Sequence, residues 1–230
     1  HSTPMTTATS LASLLPSLVI VPLTLLPIIN PLSGAPVFMA TAGRDPQTIA
    51  KLARQVAINC WFILVGSMLV GTYVLDFFGI SLPIVRVAGG LLVAASAWRM
   101  LMSQADDEVR SAVVRAQPAT LTEAQIVERS FFPITFPLTA GPGTIAASIA
   151  LGAKLPSTPA LYVAGAVIAV AGATLTVLVI YLVYRHAARL LDRLGEVGML
   201  VLMRIMAFVL LCIGIEIIWT GWAELQRQAP

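Results

Sequence analysis

The sequence predicts an all-α integral membrane fold. Six transmembrane helices are expected as two inverted three-helix repeats, with helices 1 and 4 broken at proline-rich motifs. Three observations carry this expectation. The 230-residue chain is 58% hydrophobic and only 11% charged, with a mean hydropathy of +0.90. Six apolar stretches of helix length follow one another along it. A Pro-Leu-hydroxyl-small-small-Pro motif occurs twice, once in each half.

Composition acts first. An ordinary soluble domain is about 25% charged. A soluble fold of this size leaves roughly 30% of its chain surface in water, so it could not hide this much apolar side chain. A soluble enzyme, a disordered regulator and a secreted disulfide scaffold are excluded. The stretches are continuous, not the alternating segments of about ten residues that build a membrane barrel. Cys60 and Cys212 both lie in apolar runs, without the spacing of a disulfide or metal site, and read as small buried hydrophobes. The net charge of +3 is too small to point to nucleic acid. No Lys or Arg precedes the first apolar run, which speaks against a secretory signal peptide.

Each span needs about 20 apolar residues. The first stretch, residues 11–41, is interrupted by Pro16, Pro22, Pro27, Pro31 and Pro36. The second and third cover residues 55–78 and 81–102. A polar stretch follows, 103–129, containing Asp106, Asp107, Glu108, Arg110 and Arg115; it reads as a loop with a short surface helix starting near Thr122. The fourth stretch, 131–153, holds Pro133, Pro137 and Pro142, and the last two cover 159–184 and 198–222. The expected organisation is a first repeat at 11–102, a polar cytoplasmic loop at 103–129 and a second repeat at 130–225.

Ten of the 14 basic residues fall after the first, third and fifth stretches, among them Arg44, Lys51, Arg129, Arg185 and Arg189. By the positive-inside bias these loops face the cytoplasm, and both termini face outward. Trp98, Trp219, Trp222 and Tyr184 lie near span ends and read as interface anchors. Gly89-Gly90 and the small-residue run 164–173 read as close helix packing.

Comparing the halves gives three matches in the same order. Pro31-Leu32-Ser33-Gly34-Ala35-Pro36 matches Pro137-Leu138-Thr139-Ala140-Gly141-Pro142 at an offset of 106. Leu75-Asp76-Phe77-Phe78-Gly79 matches Leu191-Asp192-Arg193-Leu194-Gly195 at 116, and Arg86-Val87 matches Arg204-Ile205 at 118. Three spans per repeat is an odd number, so the second copy enters the membrane from the opposite side. Inverted repeats are typical of secondary transporters, whose sites lie near the midplane where the repeats meet.

The doubled motif has a physical consequence. Proline removes a backbone donor and clashes with the preceding turn, so two prolines five residues apart unwind a helix. Unpaired backbone groups in lipid cost several kcal/mol each, roughly, and are tolerated only inside protein or along a wet cavity. The half-helices that start after each break aim free N–H groups at it, which suits a carboxylate. Kinked packing helices are the plainer reading. The match between two copies favours a site.

On these residues the sequence resembles the MarC family, the six-span neutral amino acid transporters of the LysE-type superfamily. The resemblance is carried by Asn30 through Pro36, by Phe136 through Ile145, and by Arg86-Val-Ala-Gly-Gly and Arg204-Ile-Met, and it spans nearly the whole chain. It implies a bacterial or archaeal inner-membrane protein that moves small neutral amino acids such as alanine or glycine, with a proton or sodium as a coupling ion. Glu216 departs from the family, where a neutral residue, often Gln, is expected.

The substrate-site candidates are Asn30, Pro31, Ser33, Gly34 and Ala35 at the first break. At the second they are Thr139, Ala140, Gly141, Gly143 and Thr144. The Asn30 amide either contacts substrate or serves the carbonyls freed by Pro31. Ser33 and Thr139 either line the site or bond back to their own helices. Asn59, amid apolar neighbours, reads as an interhelical bond. The charged candidates are Asp76, Arg86, Asp192, Arg204 and Glu216, expected as one Asp–Arg pair per repeat acting as clamp or gate. Glu216 either pairs with Arg86 or carries a proton. No nucleotide loop, zinc spacing or nucleophile elbow appears, and no acid, base and nucleophile converge, so no cofactor, metal or enzymatic activity is expected. The expected partners are the lipid bilayer and a small zwitterion carried by alternating access. A channel for a small neutral solute or ion is the rival reading, followed by a non-transport membrane protein.

Overall fold

The computed structural model describes residues 18–102, 121–155 and 158–228. The start of the first stretch and most of the polar 103–129 segment lie outside the described residues. Among the described residues eight α-helices run in order: α1 (Leu18–Ile29), α2 (Pro31–Ala42), α3 (Pro46–Phe77), α4 (Leu82–Met102), α5 (Glu123–Arg129), α6 (Pro142–Gly152), α7 (Pro159–Arg185) and α8 (Ala187–Gln228), the last kinked at Gly195, whose backbone is not helical (φ 63°, ψ 178°). Among the described residues there is no strand. Among the described residues four helices are long and apolar enough to cross a membrane, and the bent pairs Leu18–Ile29 with Pro31–Ala42 and Glu123–Thr139 with Pro142–Gly152 bring the number to six if each pair is one span.

Local chemistry sets the boundaries. Asp45 caps α3: its carboxylate accepts from the Thr48 N–H at 2.8 Å and the Thr48 hydroxyl at 2.6 Å, and Pro46 starts the helix. This carries α3 a full nine residues further toward its N-terminus than the apolar run alone indicates, because the polar first turns dock on protein instead of lipid. Thr122 and Gln125 form a reciprocal capping box at the start of α5, as expected near Thr122. Between α5 and α6, residues Ser130–Thr139 form wide, π-like turns. The backbone there is extended at Phe132 (φ −120°) and Phe136 (φ −121°), each of which precedes a proline that disfavours helix.

The two Thr48 bonds hold the exposed Asp45 carboxyl below its ordinary value of 3.8. A carboxyl lowered in the folded state stabilises it above the unfolded pKa, and that contribution is lost as pH falls through the folded pKa. Asp45→Ala is therefore expected to lower the melting temperature in detergent at neutral pH, with Asp45→Asn close to wild type. The gap between Ala and wild type should close below the folded pKa. Equal melting curves at pH 7 would show that the cap contributes nothing.

Packing is antiparallel and close. α4 lies along α8: a Cβ at Gly90 would stand 2.8 Å from the Gly214 carbonyl oxygen, and one at Gly214 would stand 2.6 Å from the Ala94 nitrogen. Gly89 meets Ala146 of α6 just as tightly, so the expected small-residue packing at Gly89-Gly90 is present. α3 packs on α7, where the Trp61 indole N–H donates to Thr174 Oγ1 at 2.9 Å. Asn59 Nδ2 donates to Ser130 Oγ at 3.2 Å, the interhelical bond expected of it. Cys60 is buried in this core as expected, whereas Cys212 is not: it is exposed on the outer face of α8.

Two ion pairs and a hydrogen bond gather the basic segments at one end of the bundle. Arg44 before α3 reaches Asp192 at 3.8 Å, Lys51 pairs with Glu123 of α5, and Arg185 donates to the Pro46 carbonyl at 3.2 Å. The opposite end holds the α3–α4 turn, Lys154 and the C-terminal part of α8. The Arg44–Asp192 pair is largely exposed and adds little stability.

Candidate functional site

The first break is one residue wide. Pro31 has no N–H to give the Pro27 carbonyl, and Asn30 adopts a left-handed backbone (φ 46°, ψ 62°) that turns α2 by 56° from α1. The Asn30 carbonyl accepts from Ser33 N at 3.1 Å and from Ser33 Oγ at 2.9 Å. Ser33 thus bonds back to its own chain. Asn30 is only 6% exposed, yet its Nδ2 amide has no hydrogen-bond partner among the described residues. The amide donors do not serve the carbonyls freed by Pro31. An orphaned buried donor costs about 1–3 kcal/mol.

The second break bends the chain by 69° at Ala140 and Gly141. Thr139 Oγ1 donates to the Ile134 carbonyl at 2.7 Å, the Ala140 N–H donates to Thr135 O at 2.7 Å, and Thr144 Oγ1 donates to Thr139 O at 3.5 Å. Neither α2 nor α6 has a side-chain cap at its N-terminus. The first-turn N–H groups of α6, at Gly143 and Thr144, lack an intrahelical acceptor.

The two proline motifs meet. A Cβ on Gly34 would stand 3.7 Å from Leu138 and 2.6 Å from the Tyr184 hydroxyl oxygen. Ala35 and Ala140 are fully buried beside them. Tyr184 closes this junction from the end of α7. It is fully buried, its ring stacks on Phe38 with centroids 4.7 Å apart, and its hydroxyl lies 2.8 Å from Thr139 Oγ1. The single Thr139 proton is already given to Ile134, so the Tyr184 hydroxyl is the donor. Tyr184 is therefore not the interface anchor expected from its place at a span end. No one-dimensional signal marks it except the Gly34-Ala35 pair, whose missing side-chain volume leaves room for a ring.

On the far side of the breaks a cavity of about 300 Å³ opens toward the Lys154 end of the bundle. Its polar lining includes Thr24, Arg86, Gly143, Lys154, Glu216 and Glu224, drawn from α1, α4, α6, the turn after α6, and α8. The expected Asp–Arg pairs do not form. Arg86 pairs with Glu224, because the Cβ of Arg86 sits against Gly221 of α8 and its guanidinium runs along that helix. Asp76 is exposed at the C-terminal end of α3, before the turn. Arg204 donates to the Leu101 carbonyl, and Asp192 turns to Arg44. Nor does Glu216 take Arg86 as its counter-ion. It lines the cavity with no ion-pair partner among the described residues.

Two broken apolar helices, a buried amide without a partner at the first break and a cavity lined in part by charged side chains define an integral membrane protein with an internal polar site. The chain matches the family described as MarC family integral membrane protein over residues 15–226, and it belongs to that family. It is 31% identical over 207 residues to the UPF0056 inner membrane protein MarC of Escherichia coli strain K12, covering 87% of this chain and 91% of the relative. The protein of the same name from Escherichia coli O6:H1 strain CFT073 is equally similar over the same shares. No solved structure matches the chain.

Proposed function

We propose that this protein is a secondary transporter. It moves a small neutral solute, best fitted by a neutral amino acid such as alanine or glycine, across the inner membrane by alternating access. Its basic end faces the cytoplasm and both termini face outward. The observation that carries this reading is the Asn30 amide, buried at the first break with no hydrogen-bond partner among the described residues. A donor held so, in a setting of Gly, Ala, Ser and Thr, suits a compact ligand bearing an acceptor. No charged residue lies in either break, which disfavours a strongly charged solute.

Alternating access needs two halves that exchange roles, and the contacts support an inverted pair. The offset carrying Arg86 to Arg204 carries Val93 to Leu211, and those two share one apolar cluster between α4 and α8. Equivalent Gly79 and Gly195 both take left-handed backbone, φ 66° and 63°, which only glycine adopts cheaply. The contact of Gly152 with Met68 is answered by that of Pro46 with Arg185, whose neighbour Tyr184 is the repeat equivalent of Met68. The halves differ where Tyr184 shuts the basic side while the cavity opens the other, as in a carrier closed to one compartment.

Uptake into proteoliposomes of a panel of radiolabelled amino acids, with and without a proton or sodium gradient, tests the reading. Saturable uptake of one or more small neutral members is expected. No uptake of any would remove the amino-acid assignment.

A further inference from the structure

The cavity beside the breaks is lined by four charged side chains, of which only two are paired with each other. Two basic groups, Arg86 and Lys154, face two acidic ones, Glu216 and Glu224. Arg86 and Glu224 are paired and partly buried, their side chains 14% and 34% exposed. Glu216 and Lys154 have no ion-pair or hydrogen-bond partner among the described residues. Glu216 lies in the apolar run of α8, where a charged side chain is expensive and marks a functional position. Packing does not require it there: Thr220, one turn on, lines the same wall with a neutral side chain.

We infer that this cavity is a binding site for the two charged ends of a zwitterion, with the Glu216 carboxylate taking the ammonium and Lys154 taking the carboxylate. The inference rests on the transporter reading and adds to it the groups that recognise the solute before it reaches the breaks. The Arg86–Glu224 pair spans the cavity wall between α4 and α8 and keeps those two charges from competing for the ligand. About 300 Å³ accommodates a small amino acid with water and is at the lower limit of ordinary ligand pockets. Recognition by both ends disfavours solutes that lack either charge, because one of the two side chains is then left without its partner.

The test has two readouts. Ligand-induced thermal stabilisation of the detergent-solubilised full chain reports binding, and proteoliposome uptake reports transport. The probes are alanine, N-acetylalanine (no ammonium) and alaninamide (no carboxylate). In wild type, alanine is expected to stabilise the protein and be taken up, with neither analogue competing. Glu216→Gln is expected to raise the half-saturating alanine concentration at least tenfold at a preserved maximal rate and melting temperature. Lys154→Gln should do the same while admitting alaninamide as a competitor. Unchanged half-saturation in Glu216→Gln with intact uptake would overturn the site and leave the transporter standing. Loss of gradient dependence alone would also overturn it, making Glu216 a proton carrier. Stabilisation by alanine that Glu216→Gln abolishes, with no uptake in wild type, would uphold the site and remove the transporter.

Discussion

Gly152→Ala is expected to be the most damaging single-methyl change in the chain. Gly152 ends α6 against α3, and a Cβ there would fall inside the van der Waals radius of the Met68 carbonyl oxygen, with the Met68 Cα 2.9 Å away. The obstacle is backbone, so no rotamer change relieves it and the two helices must separate. One turn earlier the same contact is held by Gly71 against Ile149, so separation at Gly152 loosens that pair as well. Overpacking costs about 1–3 kcal/mol, and rigid surroundings push it to the top of that range or beyond. The measurement is thermal unfolding in detergent with size-exclusion profiles. Gly66→Ala is the control: Gly66 is within α3 with nothing near its absent Cβ, and alanine there is expected to add about 0.5–1 kcal/mol of stability. Gly152→Ala melting with wild type would refute the packing described for α3 and α6.

The second large effect is at Tyr184. Truncation to alanine removes a fully buried ring that stacks on Phe38, and large aromatic deletions cost about 3–5 kcal/mol. Tyr184→Phe removes only the hydroxyl, for about 1 kcal/mol, and leaves Thr139 bonded to Ile134. The ring shuts the break junction on the basic side, so both changes are expected to expose it. In a Cys212→Ala background, a Ser33→Cys thiol should react severalfold faster in Tyr184→Phe and faster still in Tyr184→Ala. The reagent is a small maleimide added from the Arg185 side. Reaction rates equal to those with Tyr184 present would show that the ring packs the core without gating the junction.

How far the sequence reached follows from what one dimension encodes. Helix positions were legible because lipid imposes long apolar runs, and the breaks were legible because proline acts on its own neighbours. The capping box at Thr122 and the hairpin glycines Gly79 and Gly195 are local for the same reason. Partner choice is not local. Asp76 and Arg86 are close in sequence, but they lie on either side of a turn whose second helix presents Arg86 to α8, so Glu224, distant in the chain, wins. Tyr184 was hidden similarly: its position beside Arg185 suggests an interface, whereas the bend at Asn30 brings α2 beneath it. The extension of α3 to Pro46 was missed because its first turns are polar, which hydropathy counts as loop.

The central claim is that facing breaks in two inverted halves carry a solute by alternating access. Counterflow tests it most directly. Proteoliposomes holding the purified chain are loaded with unlabelled alanine and diluted into a trace of labelled alanine without any ion gradient. A transient accumulation of label above equilibrium is expected, saturable in external alanine and reduced in Glu216→Gln. Entry that only approaches equilibrium, rises linearly with concentration and ignores the internal load would contradict it and mark a channel.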